Sequence, residues 1–332
     1  VTGVQTCALP ISVQLMARVE AAFGCRLPLA SLFSGGTVAR QAALIDARSG
    51  SADEVLVMLR SEAASSGACL GTILLPHEVS GHVLSYAALA AHLPEGWRVA
   101  ALQARGLDNT RPPIGGLPEM ARTYADAVLA AGLPGPFVPV GYSFGAALAG
   151  ELAAELAARG RTVARVCVID APANPQDFAD GIVPGDEAGR LLHMVRAVEH
   201  SMGLDLGLDA AVLKQFGQET RIDLVHRRLA AIGAFGGAVT RDQVAGMLAV
   251  YGANLDALRD FRPRPIGRPV DVWVTDALAA RSGLAADLGW SEVAAGPVAV
   301  HRIGGDHHSV MREPIAGELA AAIGRVLDPV PA

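Results

Sequence analysis

The feature that most constrains this chain is Val138-Pro139-Val140-Gly141-Tyr142-Ser143-Phe144-Gly145-Ala146-Ala147-Leu148. It reads as a short apolar strand, a G-x-S-x-G turn and the start of a helix. Leu148, Leu152 and Leu156 continue one helical face at i, i+4 and i+8. A serine on a tight strand-to-helix turn has its hydroxyl pushed clear of the backbone, and Gly141 and Gly145 permit the close approach such a turn demands. The helix N-terminus behind it presents oriented N–H groups and partial positive charge, which suits a site where an oxyanion forms. G-x-S-x-G alone is common in ordinary turns. The strand before it and the helix after it make Ser143 a candidate nucleophile, provided an acid and a histidine follow in that order.

Around this turn, elements alternate. Cys69–Leu75 is an apolar run closed by Pro76, His82–Leu93 is helical, Val99–Leu102 a strand and Pro118–Ala131 a helix. Phe137–Val140 is the strand before the serine, Gly145–Arg159 the helix after it, and Val163–Ile169 the next strand. Such alternation predicts an α/β fold with a mainly parallel sheet and helices on both faces. Between about residues 175 and 262 the alternation stops. Four helical segments follow one another around Leu191–Met202, Ala210–Phe216, Leu224–Phe235 and Val244–Phe261, an insertion in the position of a lid. Strand patterning resumes at Val270–Thr275 and Pro297–Ile303, and a last helix runs from Pro314 to Leu327.

Ser143 needs a base, and the base needs an orienting acid. His307 lies in Gly304-Gly305-Asp306-His307-His308-Ser309, a turn between the last strand and the final helix; His308 is its rival, since one turn aims one ring. Two acids keep the order Ser…Asp…His: Asp170 at the end of Val166–Ile169 and Asp276 at the end of Val272–Thr275. Either could instead cap a loop, and the residues alone leave both open. His77-Glu78 resembles the start of a zinc-protease motif, but Gly81 stands where the second histidine belongs, so no metal site is expected.

Upstream of these elements the pattern differs. Residues 1–11, VTGVQTCALPI, fit no element, look like translated adapter sequence and are set aside as a tail. Residues 12–47 read as a small all-α fragment, with Val13, Leu15, Met16, Val19 and Phe23 on a helix ending at Gly24 and a second helix beginning after Thr37 as N-cap. Residues 48–67, rich in Ser, Ala and Gly, read as a linker in which Val55–Leu59 packs on the next domain. The domain that follows spans 68–332.

At this point two resemblances become specific. SVQLMARVEAAFGCRLPLASLF followed by TVARQAALI is similar to the C-terminal half of an acyl or peptidyl carrier protein. A carrier's phosphopantetheine-bearing serine would fall near Leu9, where no serine stands, so the fragment cannot be loaded. From Leu70 onward, ILLPHEVSGHVLSYAALAAHL, LQARGLD, MARTYADAV, VGYSFGAALAGELA, VCVIDAPA and GGDHHSVMREP resemble the type I thioesterases, the terminal release domains of non-ribosomal peptide and polyketide synthases within the α/β-hydrolase superfamily. The resemblance implies Ser143, Asp170 and His307 as the triad and favours Asp170 over Asp276. It also implies an oxyanion hole of the Val79 and Phe144 backbone N–H groups. The family's H-P-A-G-G loop reads His77-Glu78-Val79-Ser80-Gly81 here; backbone donors survive such changes, but loss of the proline and one glycine alters the loop. His77 is then a structural residue and Glu78 is expected to face solvent.

The implied reaction is transfer of an acyl, peptidyl or polyketidyl chain from carrier phosphopantetheine to Ser143, then release by hydrolysis or macrocyclisation. The domain binds no cofactor of its own; its partners are the upstream carrier, the assembly-line modules and the thioester. An esterase or lipase on free small esters is the alternative, although the H-G-G-G-type loop common there is absent. A binding module that kept the fold and lost activity is the other; all three triad positions are occupied, which counts against it. Composition narrows the field further. With 51% hydrophobic and 18% charged residues the chain can bury a large core, and a net charge of −6 argues against nucleic acid or an anionic membrane as partner. Lys214 is the single lysine, which removes most Ser–Lys mechanisms. Four cysteines without a C-x-x-C pair, no run of transmembrane length and no basic secretory n-region predict free thiols and a cytoplasmic setting.

Overall fold

The computed structural model describes residues 15–16, 18–25, 27, 31–34, 37–46, 55–60, 69–174, 186–202, 204–233, 239–281 and 283–327. The 1–11 tail, the carrier position near Leu9, most of the 48–67 linker and the start of the helical insertion at 175–185 lie outside them.

Seven strands form one sheet: β1 Leu56–Arg60, β2 Gly71–Pro76, β3 Trp97–Leu102, β4 Phe137–Tyr142, β5 Val166–Ile169, β6 Val270–Thr275 and β7 Val298–Ile303. Their order across the sheet is β1-β3-β2-β4-β5-β6-β7. All neighbours are parallel except β1, which runs antiparallel to β3. β2, β4, β5 and β6 are buried at every position, as near-continuous apolar runs must be when a parallel sheet is covered on both faces. β7 at one edge is largely exposed. At the other edge β1 occupies the apolar piece of the predicted linker. Arg60 ties it down, its guanidinium donating to the carbonyls of Leu93 (3.0 Å), Pro94 (2.8 Å) and Trp97 (3.3 Å).

Among the described residues 15–16 and 18–23 are helical, and the bounded α-helices are α1 Ser31–Ser34, α2 Val38–Asp46, α3 Ala87–His92, α4 Leu117–Ala130, α5 Phe144–Ala158, α6 Glu187–Met202, α7 Ala210–Lys214, α8 Gln218–Ala231, α9 Arg241–Asp260, α10 Asp276–Ala279 and α11 Ile315–Leu327. The chain divides into two compact units. One comprises 55–103, 115–180 and 257–332 and holds the sheet with α3, α4, α5, α10 and α11; the other comprises 1–54, 104–114 and 181–256. In the sheet unit α5 is buried along nearly its whole length. It includes Glu151, whose carboxylate is paired with Arg264 at 2.7 Å, so the buried charge is compensated.

In the second unit α6 to α9 follow one another without an intervening strand among the described residues, as the loss of alternation predicts. Their interior is apolar, with Val195, Leu206, Leu213, Val225, Leu229 and Val244 buried. Bidentate pairing of Arg190 with Asp256 (2.6 and 2.8 Å) joins α6 to α9. Thr37 caps α2 as expected, its hydroxyl accepting from Arg40 N at 3.3 Å. Cys25, Cys69 and Cys167 are free thiols. Among the described residues no helix is long and apolar enough to cross a membrane.

Sheet order fixes where a site can form. After β2 the chain steps outward to β3, then returns to place β4 on the opposite side of β2. Connections leaving β2 and β4 therefore diverge, and the crevice beyond their carboxyl ends is the topological switch point where open α/β sheets bind ligands. Ser143 follows β4 directly, and the loop Pro76–His82 follows β2.

Candidate active site

Ser143 stands between β4 and α5 with φ 55° and ψ −124°, a conformation that L-residues rarely adopt. The turn is so tight that a Cβ on Gly141 would lie 2.6 Å from Ala146 Cα. One on Gly145 would lie 2.5 Å from the Pro76 carbonyl and 3.0 Å from the Tyr86 hydroxyl. Both glycines are thus fixed by contact: Gly141 lets β4 fold back on α5, and Gly145 lets the end of β2 press against it. Tyr86 welds the same junction, donating to Pro76 O at 2.8 Å and accepting from Tyr142 N at 3.0 Å.

His307 comes from the turn after β7. Gly305, at φ +88°, could not carry a side chain, since a Cβ would meet Ser309 Oγ at 2.6 Å. Asp306 folds the turn by accepting from His308 N and Ser309 N, both at 2.9 Å; the Ser309 bond first among several holds its carboxyl below the usual range. This turn delivers His307 Nε2 to 3.0 Å from Ser143 Oγ and Nδ1 to 2.9 Å from Asp170 Oδ2. A carboxylate can only accept, so Nδ1 carries the proton and Nε2 is left to accept from the serine hydroxyl. His308 points elsewhere: it is exposed, edge-on to His307 with ring centroids 5.6 Å apart.

Asp170 follows β5 with φ 51° and is fully buried. Its Oδ1 accepts from Thr275 N at 2.8 Å while Oδ2 takes His307, so both oxygens are engaged. Asp276 is placed differently. It is exposed in the first turn of α10, a helix capped by Thr275 Oγ1 accepting from Leu278 N at 3.2 Å. The acid brought to His307 is Asp170 and not Asp276, and the cap of α10 is supplied by Thr275.

Two backbone groups are expected to bind an oxyanion, those of Phe144 and Val79. Phe144 is the first residue of α5, where helix geometry leaves N–H groups without intrahelical acceptors. Val79 lies in the loop after β2. His77, beside it, is fully buried, stacked on Phe144 with centroids 5.3 Å apart. Its Nδ1 donates to the Glu78 carbonyl and its Nε2 accepts from Tyr124 Oη, both at 2.8 Å. Burial pushes its pKa down to about 4, so the ring is neutral at pH 7 and structural.

Glu78 does not face solvent as expected. Its carboxylate folds back onto Ser80, accepting from Ser80 N at 2.8 Å and from Ser80 Oγ. Burial raises its pKa, opposed by the Ser80 bonds and by the nearby His307. Tyr142 is a second feature with no sequence signal. Its hydroxyl donates to the His307 carbonyl at 2.5 Å and its ring lies 4.9 Å from the imidazole, anchoring the histidine turn to the nucleophile turn. Among the described residues no cluster of His, Cys, Asp and Glu could hold a metal.

Nonribosomal peptide synthetase btyA of Aspergillus terreus is 26% identical over 76% of this chain. A crystal structure of holo-AB3403, a four-domain nonribosomal peptide synthetase, superposes on 97% of the chain with a TM-score of 0.72 at 23% identity, covering 24% of its own length. A Vlm2 thioesterase domain bound with a dodecadepsipeptide is covered completely, with 83% of this chain, at a TM-score of 0.57 and 25% identity. The chain spans between 2% and 28% of the first curated relatives it matches. The family model for the thioesterase domain matches residues 72–325, most of the chain and every residue of the site; this chain belongs to the thioesterase domain family.

Proposed function

We propose that this domain releases an acyl or peptidyl chain from the phosphopantetheine of a carrier protein in an assembly-line synthetase, through Ser143, His307 and Asp170. The observation that carries the reading is His307, held between Ser143 Oγ at 3.0 Å and Asp170 Oδ2 at 2.9 Å. His307 Nε2 takes the Ser143 proton as Oγ attacks the thioester carbonyl. The Phe144 and Val79 N–H groups hold the resulting oxyanion. Collapse breaks the C–S bond, and the imidazolium returns the proton to the departing sulfur. Water, or an amine or hydroxyl within the chain, then gives its proton to His307 and attacks the acyl-serine; the acyl–Oγ bond breaks as the imidazolium returns the proton to Ser143, leaving a free acid or a ring. Asp170 keeps the imidazole oriented and stabilises its charged form.

The carrier-like pattern of residues 12–47 and the synthetase context of the relatives support a substrate presented on carrier phosphopantetheine. The helical insertion is proposed as the lid of this fold, and its apolar composition favours an aliphatic over an aryl chain. The test is the intact mass of the protein and of Ser143→Ala shortly after mixing with an acyl-N-acetylcysteamine thioester. A gain of one acyl group in the wild type, absent in the variant, is expected. Folded wild type giving neither adduct nor free thiol would overturn the reading.

A further inference from the structure

The peptide unit between Glu78 and Val79 is gripped on several sides. The Glu78 carbonyl accepts from His77 Nδ1 at 2.8 Å and from Gly81 N at 2.9 Å. In a trans peptide the C=O and N–H point in opposite directions, so whatever holds the Glu78 carbonyl also sets the direction of the Val79 N–H. The Glu78 side chain adds a second constraint. By accepting from Ser80 N and Ser80 Oγ it closes a ring across Val79 and fixes the peptides on both sides of that residue. Ser80 Oγ is in turn held by His82 N at 3.3 Å. Proline, which would stiffen such a loop through its fixed φ, is absent from 77–82.

We propose that the Glu78–Ser80 clamp is the device that aims the Val79 N–H, making Glu78 a positioning residue for oxyanion stabilisation. This rests on the proposed function, in which Ser143 is the nucleophile and the Val79 N–H an oxyanion donor. The clamp uses Glu78 for its hydrogen bonds, not as a charge: glutamine keeps one oxygen to accept from Ser80 N, and its NH₂ group can donate to Ser80 Oγ in place of the second acceptor. A negative charge beside a developing oxyanion in fact opposes its formation. Glu78 lies within electrostatic range of His307 and Tyr142, so the charge is close to the chemistry.

The experiment compares Glu78→Ala and Glu78→Gln with wild type in single-turnover acylation of Ser143 by an acyl-N-acetylcysteamine thioester, with melting temperature as the control on folding. Glu78→Ala is expected to slow acylation about tenfold or more, short of the ~10²–10³ that complete loss of a donor costs, with little change in KM. Glu78→Gln should restore the rate to the wild-type value or above it. Two results would overturn the clamp: a folded Glu78→Ala acylating as fast as wild type, or Glu78→Gln falling as far as Glu78→Ala. A wild type that forms no acyl adduct at all would instead sink the nucleophile assignment, and the role of the clamp with it.

Discussion

Asp170 and Asp276 end neighbouring strands, yet their surroundings give them opposite parts. Asp170 Oδ1 is committed to Thr275 N and Oδ2 to His307 Nδ1. Asn at 170 would keep its carbonyl on Thr275 and present an NH₂ group to Nδ1. The imidazole would then carry its proton on Nε2 and could not accept from Ser143. kcat/KM of Asp170→Asn toward an acyl thioester is therefore expected to fall by about 10⁴, the cost of the wrong tautomer in a Ser-His-Asp triad. Asp276→Asn, on an exposed helix start, should stay within about twofold of wild type. Comparable losses from the two variants would contradict the geometry. The sequence alone left both aspartates open, because each ends a strand in the same way; what separates them is the left-handed backbone of Asp170 and a bond to a residue 105 positions away.

At the level of elements, the loop after β2 carries a pH dependence. His77 and His82 both have pKa values pushed down to about 4 by burial. A lowered histidine is neutral in the folded state, whereas in the unfolded chain it takes up a proton near 6.5. The stability it contributes is complete above pH 6.5 and is lost as pH falls toward 4. For fully buried His77 the difference corresponds to on the order of 3 kcal/mol. Urea midpoints measured from pH 7 to pH 4.5 should decline less steeply in His77→Gln than in wild type; parallel declines would show that His77 does not titrate in this way. The elements themselves were largely legible. Val270–Thr275 forms β6 with the predicted bounds, and the four helical segments of the insertion became α6 to α9. Long apolar runs and sustained 3.6-residue periods report burial directly. Leu56–Arg60 was harder, being an edge strand in a Ser- and Ala-rich stretch whose partner, β3, is remote in sequence. The Tyr142–His307 bond and the fold-back of Glu78 carry no period at all, since each depends on one side chain meeting one backbone group.

Over the whole molecule, the triad and the loop of Val79 all belong to the unit made of 55–103, 115–180 and 257–332. That unit is assembled from three separated stretches of chain, so the site exists only once the sheet has formed. Folding and the completion of the site are one event. The sheet also holds Ser143 at φ 55° against its own preference. A residue held in such a sparsely populated region costs about 1–3 kcal/mol, and glycine, which meets no such penalty, gives back about 0.5–1 kcal/mol through its freer unfolded chain. Ser143→Gly should therefore abolish acylation and yet melt a few degrees higher than the wild type; a lower melting temperature would show that the turn is unstrained. Across many generations of sequence drift, a copy released from the need to turn over substrate would gain heat tolerance by exchanging this serine for glycine.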